Sequence, residues 1–103
     1  MSDTSNLNME NGGNFTEDTS FALPPEKNVI FFNDDFTSMD FVVDVLVSVF
    51  NKSHEEAEDL MLEVHTNGSS IVGSYTYDIA VSRTNLTIHL ARKNGFPLRV
   101  EVE

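Results

Sequence analysis

Cysteine is absent from the 103-residue chain, so disulfides, zinc–thiolate centres and thiol nucleophiles are excluded. Basic residues are scarce: six lysines and arginines stand against 17 aspartates and glutamates, a formal net charge of -11 at pH 7. So few cations cannot neutralise a phosphate backbone, which argues against nucleic acid as a partner. An acidic surface suits a basic partner or a cationic ligand, and it also serves solubility alone. The N-terminus carries neither the basic nor the apolar block of a secretion signal, and no apolar run approaches the roughly 20 residues of a membrane span. A cytoplasmic chain without membrane contact is expected. The Asn-x-Ser/Thr triplets at Asn14, Asn51, Asn67 and Asn85 are then chance.

The N-terminal stretch has acids (Asp3, Glu10, Glu17, Asp18, Glu26) but no lysine or arginine, and few apolar side chains. Too little surface is available there to offset the entropy of ordering, so residues 1–24 read as a disordered acidic tail. Pro24-Pro25 marks the edge of a single small domain over residues 25–103.

Within that domain, Asn28-Val29-Ile30-Phe31-Phe32 reads as a strand. Thr37-x-x-Asp40 has the form of a capping box, and Met39, Val42, Val43, Leu46 and Phe50 share one helical face. The valines in this segment favour a strand by propensity, but its length and cap favour a helix. Ser53-x-x-Glu56 opens a second helix with a buried stripe of Ala57, Leu60, Met61 and Val64, and Asn67-Gly68 stops it. Ser70 to Tyr75 reads as a strand, Thr76 caps a third helix ending near Asn94-Gly95, and Leu98, Val100 and Val102 alternate as a last strand. The order β-α-α-β-α-β gives an α/β fold, a small open-faced sandwich with a three-stranded antiparallel sheet packed on three helices.

The chemistry concentrates in two places. Asn33-Asp34-Asp35 follows the first strand, where such residues either shape a turn or offer oxygens to an ammonium group. His65 ends the second helix, four residues after Met61, and is either a satisfied core residue or a polar partner for that cluster. Met39 and Met61 are either plain core or adaptable walls of a ligand pocket. Two adjacent acids supply too few ligands for an octahedral metal site. No serine sits in a glycine elbow and no loop is built to cradle phosphate. Acid–base chemistry by Asp35 with His65 stays open, although one small polar cluster on so short a fold favours binding over turnover.

The chain from about Pro25 to Glu103 resembles the ClpS family, bacterial adaptors that bring N-end-rule substrates to a Clp AAA+ protease. The resemblance is carried by Val29-Ile30-Phe31-Phe32-Asn33-Asp34-Asp35-Phe36-Thr37-Ser38-Met39-Asp40-Phe41-Val42, by Ala57 and Leu60 through His65 to Gly68, by Gly73 through Ala80, and by Pro97-Leu98. It implies a non-enzymatic, monomeric adaptor without cofactor or metal. The adaptor would bind polypeptides whose first residue is Leu, Phe, Tyr or Trp. By this resemblance Asn33, Asp35 and His65, with Asp34 nearby, hold the free α-amino group. Thr37, Met39, Val42, Met61, Val64 and Leu98 line the hole for the first side chain, with Met39 as a gatekeeper against β-branched residues. Asp78 and Arg83 match part of the surface that docks on the N-terminal domain of the ClpA or ClpC unfoldase, toward whose pore the tail would reach. Two positions depart from the family: Ser38 stands at the pocket rim where proline is usual, which loosens the rim, and Phe36 replaces a tyrosine. The rival readings are a degron-blind modulator of the unfoldase and a small acid–base or metal-dependent enzyme using Asp34, Asp35 and His65.

Overall fold

The structure, a computed structural model, describes residues 24–103, so the acidic tail lies, apart from Pro24, outside the described residues. Three strands and three helices follow in the order β1 (Glu26–Phe32), α1 (Met39–Ser48), α2 (His54–Asn67), β2 (Ser69–Thr76), α3 (Tyr77–Lys93) and β3 (Arg99–Val102). The sheet is antiparallel with spatial order β2-β1-β3. The α/β sandwich expected from the periodicity is the fold observed.

β1 is the central strand because its alternation suits two neighbours and a covered face. Val29 and Phe31 are fully buried, and the Phe31 ring meets that of Phe50 edge-on at 5.6 Å. Val42, Val43, Val45 and Leu46 of α1 close over the same core. Burying each such aliphatic side chain contributes roughly 1.5–3 kcal/mol, which outweighs the few tenths by which valine disfavours a helix. Tertiary burial therefore decides this segment in favour of a helix.

Its cap differs from expectation by one residue. Ser38, not Thr37, is the N-cap, and its Oγ accepts from the Phe41 backbone N–H at 3.1 Å. The Thr37 hydroxyl is directed instead at the Asp34 carboxylate, to which it donates at 2.7 Å. The cap on α2 is as expected: Ser53 and Glu56 satisfy each other's backbone N–H groups, and Gly68 ends the helix at φ 88°. Thr76 stands at the start of α3 without a side-chain capping bond.

Two backbone features bring distant residues to the end of β1. The left-handed turn at Gly68 sends the chain from α2 straight into β2, where Ser69 pairs with Phe32, and the Asn33 N–H donates to the Gly68 carbonyl at 2.8 Å. On the other side Arg99 pairs with Phe32, which places Leu98 next to the same strand end. The last turn of α2, the first turn of α1 and the start of β3 thus converge on the loop 33–38. Among the described residues no helix is long and apolar enough to cross a membrane.

Candidate functional site

That convergence encloses a cavity of about 210 Å³. Its lower wall is apolar: Val42 from α1, Met61 and Val64 from α2, and Leu98 before β3, with Val42, Val64 and Leu98 buried. Met39, in the first turn of α1, stands at the opening and is 44% exposed. Asn33, Asp34, Asp35, Thr37 and His65 complete the lining as a polar lip.

The lip is built by Asp34. Its Oδ1 accepts the backbone N–H groups of Phe36 at 2.8 Å and Thr37 at 2.7 Å, and its Oδ2 accepts the Thr37 hydroxyl at 2.7 Å. This is the side-chain turn that aspartate favours. Partial burial raises the Asp34 pKa, but the hydrogen bonds from Thr37 and Phe36, helped by the Arg92 charge, outweigh burial and hold it below 3.8. With both oxygens bonded to the loop, Asp34 shapes the lip, and it lines the cavity next to Asp35, where the resemblance placed it.

Asn33, Asp35 and His65 are different. All three are exposed and line the cavity. No hydrogen bond joins their side chains to another described residue. His65 is thus not a satisfied core histidine. An amide oxygen, a carboxylate and an imidazole set around an apolar hole can accept from an ammonium group while the hole receives the attached side chain. The size fits this use, since an apolar cavity of about 150 Å³ already holds benzene.

Ser38 does not line the cavity; its hydroxyl is used in the α1 cap. Its φ of -69° lies within the range a proline would impose, so the expected loosening of the rim is offset by a capping bond that proline lacks. Asp78 and Arg83 lie on α3, away from the cavity lining. Asp78 is exposed in the first turn, while the Arg83 guanidinium packs 5.0 Å above the Tyr75 ring.

Two contributors escaped the sequence reading. Phe32 lines the cavity and carries the Arg99 guanidinium 4.2 Å above its ring. The signal for it was the alternation along β1, which turns Phe32 away from the face that buries Phe31. Arg92 donates from Nη1 to the Phe96 and Leu98 carbonyls, both at 2.9 Å, and so fixes the approach to Leu98. A basic residue in the last turn of a helix ahead of a Gly-x-Pro turn is the signal for such a carbonyl cap. Among the described residues no three histidine, aspartate or glutamate groups converge as a metal site requires.

Comparison with known proteins is consistent across sequence and structure. Residues 22–101 match the family model described as ATP-dependent Clp protease adaptor protein ClpS. The chain is 53% identical over 83 residues to the ATP-dependent Clp protease adapter protein ClpS of Treponema denticola, covering 81% of this chain and 82% of the relative. It is 48% identical over 82 residues to the protein of the same name from Desulforapulum autotrophicum, covering 80% and 79%. The structure of Agrobacterium tumefaciens ClpS2 bound to L-phenylalaninamide superposes with a TM-score of 0.75 at 33% identity, covering 79% of this chain and 98% of that one.

Proposed function

The chain belongs to the ClpS family of ATP-dependent Clp protease adaptors, and from that premise we propose that the cavity at the end of β1 reads the first residue of the polypeptides it delivers. As a family member the chain is an adaptor and not an enzyme. Its partner is a Clp protease.

In this reading Asn33, Asp35 and His65 accept hydrogen bonds from the free α-ammonium group. Thr37, Met39, Val42, Met61, Val64 and Leu98, together with Phe32, surround the first side chain, and Asp34 holds the lip in place. One observation carries the reading: three exposed acceptors ring an apolar hole of about 210 Å³. The lip selects a cationic terminus. Burial of a large apolar side chain such as Leu, Phe, Tyr or Trp adds roughly 1.5–3 kcal/mol. Met39 at the opening discriminates against first residues branched at Cβ. Phenylalaninamide, which the Agrobacterium tumefaciens relative binds, carries both features, a free α-amine and a benzyl group.

The adaptor acts as a cytoplasmic monomer on the N-terminal domain of a ClpA or ClpC unfoldase, with Asp78 and Arg83 of α3 in the contact. Delivery then needs no chemistry from this chain. It holds the terminus while the unfoldase engages the polypeptide.

The test is fluorescence anisotropy with three labelled peptides beginning in Phe, in N-acetyl-Phe and in Arg. Binding to the free Phe terminus alone, abolished by Asp35→Ala, is the expected result. Equal affinity for all three peptides would remove first-residue recognition and favour a degron-blind modulator of the unfoldase.

A further inference from the structure

The cavity has room for one side chain, so the second residue of a bound polypeptide must cross the lip. Phe36 stands on that lip between Asp35 and Thr37, both of which line the cavity. It is 77% exposed, more than any other large hydrophobic side chain among the described residues. The exposure is not a product of slack, because its backbone N–H is held by Asp34 Oδ1 at 2.8 Å. A rigid loop therefore presents an uncovered aromatic ring beside the carboxylate proposed to grip the amine. Consecutive residues are only roughly 3.8 Å apart at Cα, so a chain whose amine lies on Asp35 places its second side chain within reach of the neighbouring Phe36.

Acids stand close to Phe36 along the chain, Asp35 adjacent to it and Asp40 four residues on. Asp35 is exposed on the loop and Asp40 is exposed in the first turn of α1, and among the described residues neither makes a salt bridge. An aromatic face flanked by carboxylates attracts a guanidinium through the ring quadrupole and through charge together. Among the described residues this pairing occurs twice, with Arg83 over Tyr75 at 5.0 Å and Arg99 over Phe32 at 4.2 Å.

We propose that Phe36 is a specificity-determining residue for the second position of the bound polypeptide, stacking on an arginine side chain that Asp35 and Asp40 help to attract. This rests on the reading that the cavity takes the first residue. An exposed cation–aromatic pair accounts for about a two- to fivefold gain in affinity, and a glutamate at the same position meets like charge.

The experiment measures peptides beginning Phe-Arg, Phe-Gly and Phe-Glu against the native protein and Phe36→Ala. The expected order for the native protein is Phe-Arg, then Phe-Gly, then Phe-Glu. In Phe36→Ala the advantage of Phe-Arg over Phe-Gly should shrink about two- to fivefold while Phe-Gly affinity holds. Because the ring is exposed, its loss leaves the core intact, and unchanged Phe-Gly binding verifies that in the same titration. An unaltered Phe-Arg to Phe-Gly ratio in the variant overturns the role of Phe36 and leaves first-residue recognition standing. Failure of the native protein to distinguish any of these peptides from N-acetylated versions overturns the underlying reading instead.

Discussion

Replacing Asp34 by alanine removes the three acceptor contacts that shape the lip: those to the backbone N–H groups of Phe36 and Thr37 and to the Thr37 hydroxyl. The Phe36 N–H is exposed and turns to water at little cost. The two Thr37 donors are partly buried. Hydrogen bonds to a charged acceptor contribute about 1.5–3 kcal/mol each, and residual solvent access reduces the pair to about 2–3 kcal/mol. Against a typical total of about 5–15 kcal/mol the domain stays folded, but the lip does not keep its shape. Asp34→Ala should therefore lower the urea midpoint and strip amide protection from Phe36 and Thr37. It should also weaken binding of a Phe-initiated peptide, because the lip that carries Asp35 loses its shape. Native stability together with native amide protection in Asp34→Ala would refute the reasoning.

The same carboxylate sets a pH dependence. Its folded pKa lies below 3.8, so its contribution is complete above that value and is lost as pH falls through the lower folded value. Asp34→Asn should differ from the native protein by a constant amount near neutrality and converge with it in strong acid, as read from urea titrations at stepped pH. Ser38→Ala should cost about 1 kcal/mol by deleting the α1 cap, measured as a shift in the denaturation midpoint without a change in m-value. Leu98→Ala should cost about 2–5 kcal/mol and deepen the cavity, so the affinity ratio of Trp-initiated to Leu-initiated peptides should rise. Arg92→Met frees the Phe96 and Leu98 carbonyls and should cost about 1–3 kcal/mol, with loss of first-residue selectivity checked by the same peptide ratio.

The helix boundaries were legible where the determinants are local. Ser53, Glu56 and Gly68 each act within one turn of the residue that announces them, and the structure uses each in that way. The cap of α1 was misplaced by one residue because Thr37 and Ser38 are both competent caps, and only the neighbouring Asp34 decides between them. The Asn33-Asp34-Asp35 cluster was readable as either a turn or an acceptor set. The fold divides it, giving Asp34 to the turn and leaving Asn33 and Asp35 at the opening. His65 could not be placed from its helix face alone, since the left-handed turn at Gly68 and the pairing of Ser69 with Phe32 fix what it faces. Phe32 and Arg92 left local signals, the alternation along β1 and a basic residue ahead of Gly95-Phe96-Pro97, but their bearing on the cavity is set by the pairing of β1 with β3. Membership of the family supplied the adaptor role, from which the recognition of a polypeptide terminus by an apolar hole with a polar lip is proposed.

The most direct test is an amide and imidazole NMR titration of the full chain with phenylalaninamide and, separately, with its N-acetyl derivative. Saturable shifts centred on Asn33, Asp35, His65, Met39 and Leu98 with the free amine alone, leaving Asp78 and Arg83 unmoved, are expected. Equal shifts with both compounds, or shifts that avoid the loop 33–38, would contradict a site that reads a free N-terminal residue.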